Sequence, residues 1–227
     1  MIRSVINGHN LRKASRQVLS NKGSAGVDGL PVDELSGYLD IPREALLFAL
    51  EGTSEKDETT RKEQLAAFEK QREQIVQAVL TGKYLPQPIL GVEIPKDYGK
   101  KRLLGIPTVT DRMLQQAVHQ IIYPLFEIEF KTGSYGFRPK RNAHQAVLAA
   151  QRHINEGYNH IVDIDLKTFF DEVDHCILLQ LLYRKIKCPL TLRLIRKWLR
   201  APIKINGKLT KRRKGVPQRA ERQENVQ

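Results

Sequence analysis

The run Val162-Asp-Ile-Asp-Leu-Lys-Thr-Phe-Phe-Asp171 brings carboxylates and aromatics together at spacings that suit phosphoryl chemistry. Residues 159–165 read as a β-strand, and alternation then puts Asp163 and Asp165 on one face. Carboxylates at the end of a strand can hold the divalent cations that stabilise the attacking and leaving oxygens in two-metal transfer. Phe170, five residues after Asp165, would border such a site. The same pair also serves in salt bridges or helix caps, which is the commoner use of such acids.

Three further groups carry chemistry. Lys96, Lys100, Lys101 and Arg102 surround a turn, where basic side chains can grip a triphosphate or simply be solvated. Ser134-Tyr-Gly-Phe-Arg-Pro139, followed by Lys140 and Arg141, interleaves aromatic and basic residues. That mixture suits stacking plus phosphate contact with a nucleic-acid strand, or a packed loop with Tyr135 and Phe137 inside. His175 follows Asp171, Glu172 and Asp174, which fits a nuclease site less well than a helix start capped by Asp174. The glycine-rich stretch Asn21-Lys-Gly-Ser-Ala-Gly-Val-Asp-Gly29 lacks the spacing of a phosphate-binding loop and reads as a tight connection.

The elements that would position these groups follow from periodicity. Asn10 is placed to cap a helix over residues 11–20. Residues 41–52 and 54–81 read as helices, the second stopped at Gly82. Two short β-segments flank Asp97-Tyr-Gly99. A helix over residues 110–130 carries the apolar stripe Leu114, Val118, Ile121 and Leu125. Helices follow over 143–154, 175–187 and 189–200, and a hairpin over 203–211 turns at Asn206-Gly207.

Composition bounds the partners. The net charge is +13, and residues 184–227 carry 15 Lys/Arg against 2 Asp/Glu, so the whole excess lies in the last fifth of the chain. Basic density of that kind suits a phosphate backbone, or a solvated basic tail. No apolar run approaches the ~20 residues that span a bilayer, and the N-terminus shows no apolar signal core, so no membrane partner and a cytoplasmic location are expected. Cys176 and Cys188 make no disulfide framework and read as reduced thiols.

Read in order, the motifs form one series. Gly26-Val-Asp-Gly29 precedes Ile94-Pro-Lys96, Lys101-Arg102 and Leu104-Gly-Ile-Pro107. Asp111-Arg112 with Gln115-Gln116-Ala117 comes next, then Ser134–Pro139 with His144, the Asp163–Asp171 run, and Lys214-Gly-Val-Pro-Gln218. This series resembles bacterial group II intron reverse transcriptase–maturases over residues 10–218. The resemblance implies an α/β chain, the fingers and partial palm of a right-hand polymerase fold. Fingers with an N-terminal extension would occupy residues 1–155, a partial palm 156–218, and an aberrant tail 219–227. It implies RNA-directed DNA polymerase activity coupled to intron splicing and mobility, with Mg²⁺, dNTP, an RNA template with DNA primer, and intron RNA as partners. Asp165 would be the catalytic aspartate and, with the Leu166 carbonyl, a metal ligand. Phe170 would be the gate against a 2′-hydroxyl, and Lys96, Arg102, Pro217 and Gln218 would border the incoming nucleotide. Tyr135, Phe137 and Arg138 would lie near the template, and Lys211, Arg212, Arg213 and Lys214 would meet RNA.

Two departures qualify the resemblance. Residues 50–70 form a charged insertion. The family continues after Pro-Gln with a Ser-Pro-Leu segment and a Tyr-x-Asp-Asp strand, whereas these 227 residues contain no Asp-Asp pair. A truncated enzyme inactive by itself is therefore expected, and a catalytically dead RNA-binding module is the alternative. Retron, diversity-generating and CRISPR-associated reverse transcriptases are the alternative families.

Overall fold

The computed structural model describes residues 1–34, 70, 72–95 and 101–217. The expected helix at 41–52, the first part of that at 54–81, the turn at 96–100 and the residues from Gln218 onward lie outside the described residues. The chain forms two compact units, Met1–Ile121 with Phe169–Gln227, and Ile122–Thr168.

The larger unit opens with helices α1 (Ile2–Val5) and α2 (Gly8–Ser20). Asn7, not Asn10, caps α2 by accepting from the His9 amide at 2.9 Å. Asn10 lies inside the helix and is buried. Its amide donates to the carbonyls of Val5 (2.8 Å) and Ala117 (3.0 Å), and its Oδ1 accepts from Gln120 Nε2 (2.8 Å). The side chain is thus a polar cross-link, because a buried amide must find partners for both ends.

Helix α3 (72–80) ends as expected at Gly82, whose positive φ of 67° lets Lys83 and Tyr84 both donate back to the Ala78 carbonyl. Strands β1 (Ile89–Pro95) and β2 (Lys101–Ile106) pair antiparallel, with Leu90 opposite Ile106 and Pro95 opposite Lys101. Helix α4 (Val109–Glu127) then buries Met113, Leu114, Ala117 and Val118. After Phe169 the unit adds the short helix α6 (Phe169–Glu172), helices α7 (His175–Ile186) and α8 (Pro189–Leu199), and strands β3 (Ile203–Ile205) and β4 (Lys208–Thr210). Asp174 caps α7 as expected, accepting from the Cys176 and Ile177 amides. Asn206 and Gly207 both take positive φ, the geometry of a two-residue hairpin turn. The sheet order is β2-β1-β3-β4, with β1 and β3 parallel.

A buried carboxylate ties these parts together. Asp111 Oδ1 accepts from Tyr84 OH and Trp198 Nε1, both at 2.9 Å. Its Oδ2 accepts from the Gln87 amide (3.1 Å) and Thr108 Oγ1 (3.0 Å). Burial pushes the Asp111 carboxyl above the ordinary range, against the downward pull of those four bonds. Lys197 Nζ donates to the Gly82 and Tyr84 carbonyls, pinning α8 to the same turn. The glycine-rich stretch is a packed connection: a Cβ on Gly26 would stand 2.7 Å from Thr108 Cα, and Arg112 Nη2 donates to the Ser24 carbonyl.

The smaller unit holds the end of α4, a loop, and helix α5 (Ala143–Asn155), started by a reciprocal capping box between Asn142 and Gln145. The expected strand at 159–165 is absent. These residues make no ladder with the described strands, and Ile161, Val162 and Ile164 are about 80% exposed. A strand needs a neighbouring backbone to satisfy its amides and carbonyls, whatever its side-chain preference. The shared face inferred for Asp163 and Asp165 goes with it.

Asp111→Ala removes the acceptor of four donors, each costing about 1–3 kcal/mol if left buried and unsatisfied. Allowing for relaxation, we expect a loss of about 4 kcal/mol in urea denaturation followed by the fluorescence of Trp198, the only tryptophan. Asp111→Asn retains one acceptor oxygen and should lose about half as much. Equal midpoints for wild type and Asp111→Ala would contradict the role given to this residue.

Candidate active site

The 170–175 segment is zipped to the 214–217 segment. The Val216 amide donates to the Phe170 carbonyl and the Gly215 amide to the Val173 carbonyl, both at 2.8 Å. Asp174 and Lys214 form an antiparallel bridge, and the Lys214 ammonium pairs with Glu172. Buried His175 donates from Nε2 to the Gly215 carbonyl at 2.7 Å, which fixes the ring's tautomer. Gly215 is required at this crossing. Its φ is +81°, and a Cβ would stand 2.7 Å from the Asp171 carbonyl oxygen.

This zipper carries Phe170 beside Pro217. Phe170 is half exposed and meets Phe169 edge to face, with ring centroids 5.5 Å apart. Pro217 packs against the β1–β2 ladder, so closely that a Cβ on Gly105 would be 2.5 Å from Pro217 Cβ. Arg102 belongs to the same hairpin, three residues from Gly105, and strand alternation turns it to the opposite face from Pro217. Of the residues assigned to the nucleotide from sequence, the structure thus unites Phe170 with Pro217 and places Arg102 on the ladder that Pro217 covers. Lys96 and Gln218 lie outside the described residues.

Asp165 and Leu166 belong to the smaller unit, on the exposed segment without a ladder. Among the described residues no group of three or more His, Cys, Asp or Glu could hold a metal ion. One carboxylate and one carbonyl on an unpaired backbone do not fit a two-metal centre, which needs several fixed oxygens.

The 131–142 loop shows how Arg138 is used. Its guanidinium donates twice to Glu127 Oε1, at 2.9 and 2.7 Å, and to the Lys131 and Ser134 carbonyls. It also lies over the Phe130 ring at 5.2 Å. The hydrogen bond from Arg138 holds the Glu127 carboxyl below its usual range. Arg141 sits over the Tyr135 ring at 5.3 Å, whereas Phe137, at φ +54°, is 87% exposed. Phe137 is therefore the aromatic this loop offers to solvent, and Arg138 braces the loop.

The basic run divides in the same way. Arg212 Nη2 donates to the Leu199 carbonyl, and burial lowers the guanidinium's pKa. Lys214 is paired with Glu172, whereas Lys211 and Arg213 point outward. Sequence reading missed His175 as a buried tie and Glu172 as the partner of Lys214. Both contacts span about 40 residues, so no local pattern announces them.

Residues 94–218 match the reverse transcriptase (RNA-dependent DNA polymerase) family. The group II intron-encoded protein LtrA of Lactococcus lactis subsp. cremoris is 38% identical over 151 residues, 66% of this chain and 25% of that protein. Protein YkfC of Escherichia coli (strain K12) is 31% identical over 214 residues, 92% of this chain and 49% of that protein. The chain thus spans between a quarter and half of the length of these relatives. Among solved structures, a partial Cas6-RT-Cas1–Cas2 complex aligns with TM-score 0.50 at 20% identity, covering 96% of this chain and 31% of that one, a likeness of fold.

Gly215→Ala should cost about 3 kcal/mol, from a strained φ and a backbone clash together. Gly133→Ala, where a Cβ meets nothing within 4 Å, should be neutral within about 0.5 kcal/mol. Thermal denaturation of both variants checks this, and equal shifts would refute the close crossing.

Proposed function

Because the chain belongs to the reverse transcriptase (RNA-dependent DNA polymerase) family and is related to its group II intron-encoded members, we propose that it forms the fingers and the nucleotide-facing wall of an RNA-templated DNA polymerase of the intron type. The observation that carries this reading is the zipper that sets Phe170 beside Pro217 on the β1–β2 hairpin. The hydrogen bond on the Phe170 carbonyl fixes the main chain from which that aromatic would discriminate a 2′-hydroxyl, and Arg102 is a cation of the same hairpin on its opposite face. Lys96 and Gln218 would complete the wall around a dNTP.

Reverse transcriptases generally use divalent metal. Here Asp165 with the Leu166 carbonyl would be one part of a Mg²⁺ site, and the described residues do not supply the rest. The fingers division at 1–155 and palm division at 156–218 follow the family reading. Compactness draws its line elsewhere, around residues 122–168. Intron RNA and an RNA template with DNA primer are the partners this reading names. Exposed Phe137 in the smaller unit and exposed Lys211 and Arg213 in the larger would be the groups that meet RNA, and Arg141 lies over the Tyr135 ring. Among the described residues no helix is long and apolar enough to cross a membrane.

A second reading has its own support. RNA binding needs no metal, and exposed cations are present although the described residues hold no carboxylate cluster for one. Two experiments separate the readings. Primer extension on an RNA template by this 227-residue chain alone should be undetectable in Mg²⁺, since a single carboxylate on an unpaired segment does not hold two ions. Robust extension would show that Asp163, Asp171 or Asp174 completes the centre.

RNA affinity should nevertheless be present and salt-dependent. If about five phosphates are neutralised on single-stranded RNA, log K should fall with log salt at a slope near −3.5, from ~0.7 per contact. Replacing Lys211 and Arg213 by Ala should reduce that slope by about 1.4, and further replacing Arg212 and Lys214 should change it little. Asp165→Ala should leave affinity unchanged. Fluorescence anisotropy across a salt series measures all four, and a drop of about 3 only when all four cations are removed would disprove the division of this run.

A further inference from the structure

Helices α7 and α8 run side by side, joined through Lys187 and Cys188, and between them lies an open cleft of about 570 Å³. Leu179 and Leu192 form an apolar floor, Tyr183 and Arg184 line it from α7, and Arg193 and Arg196 from α8. Positions four apart on each helix, 179 with 183 and 192 with 196, make both walls continuous.

Among the described residues no carboxylate lines the cleft, and none of the three guanidiniums has a hydrogen bond or ion pair with another described residue. They are nonetheless on a fixed frame. Lys197, one residue on, is anchored to the Gly82 and Tyr84 carbonyls. Arg193 lies over Gly82, in space that any larger residue would fill. Tyr183 is half exposed, and Lys187 Nζ stands 4.4 Å from its ring centroid, covering one face.

An apolar floor, a planar ring and three cations without a carboxylate among the described residues call for a ligand that is flat, apolar on its faces and anionic at its edges. An apolar helix would strand three guanidiniums without solvent or partner. An acidic peptide would satisfy the cations but offer nothing planar to the ring. We propose that this cleft takes an unpaired nucleotide of single-stranded RNA, its base against Tyr183 on the Leu179–Leu192 floor and its flanking phosphates on Arg184, Arg193 and Arg196. This rests on the reading of the chain as RNA-binding and adds a site distinct from the nucleotide wall and from Lys211 and Arg213.

The test uses the whole 227-residue chain, labelled oligouridine, the same oligomer made abasic, and poly-glutamate as competitor. Tyr183→Ala should weaken oligouridine about 10-fold, the size of one base–aromatic stack, and leave the abasic oligomer within about twofold. Replacing Arg184, Arg193 and Arg196 together by Ala should lower the salt slope by about 2 for both oligomers, from ~0.7 per phosphate, with circular dichroism unchanged. Wild-type binding by both variants overturns the cleft assignment alone. Equal losses on both oligomers from Tyr183→Ala overturn the stacking. Displacement of RNA by poly-glutamate at equal charge concentration would assign the cleft to an acidic segment instead. If wild type itself shows no salt-dependent affinity for either oligomer, the RNA reading fails and takes the cleft with it.

Discussion

One buried carboxylate sets the positions of the other elements in the larger unit. Asp111 collects donors from the turn after α3, from the start of α4 and from the end of α8. Gln87, one of those donors, lies two residues before β1, so the grip on its amide fixes where the first strand starts. Trp198, another, lies at the end of α8, and β3 starts five residues later and pairs with β1. The sheet is therefore referenced to a single side chain at both of its entries. A buried carboxylate is costly unless its oxygens are satisfied, so its retention demands that all four donors arrive together. Local folding errors in any of the three elements would leave the charge exposed to that cost.

Elements that depend on their own residues were legible in the sequence. The stripe of α4, the break at Pro189, the cap at Asp174 and the turn at Asn206-Gly207 each follow from properties of a few adjacent side chains. Elements that depend on a distant partner were not. Asn10 looks like a cap by type, and only the approach of Ala117 and Gln120 makes it a cross-link. The 159–165 run has the composition of a strand, but β-propensity measures fit to a neighbouring strand more than an intrinsic preference. Of the candidate site, the identity of Phe170 and Pro217 was readable, whereas the zipper that brings them together was not, because its hydrogen bonds join residues more than 40 apart.

Charge shows the same limit in a different form. Counting cations located the whole excess in residues 184–227 but treated each as available. The structure spends Arg212 on a carbonyl, Lys214 on Glu172 and Lys197 on the turn at Gly82. The exposed cations that remain include those of the α7–α8 cleft, the β3–β4 hairpin cations Lys204 and Lys208, and the Lys211–Arg213 edge. An electrostatic surface of this kind attracts polyanions broadly, and discrimination among them must come from shape and stacking, which the cleft has and the edge lacks.

The parts of this chain differ in what they need in order to act. The Phe170–Pro217 wall and the α7–α8 cleft are built from helices and paired strands whose backbone bonds are already made. Asp165 sits among Ile161, Val162, Ile164 and Leu166, all exposed, on a backbone with no ladder. Metal-assisted transfer requires ligands held to within about half an ångström, and a segment without fixed hydrogen bonds cannot do that for one carboxylate, let alone several. Such a run of apolar residues with open amides and carbonyls is also the feature that favours pairing with another strand. A metal site at Asp165 would therefore require strand pairing around it, whereas the proposed wall and cleft rest on backbone bonds that do not depend on that pairing.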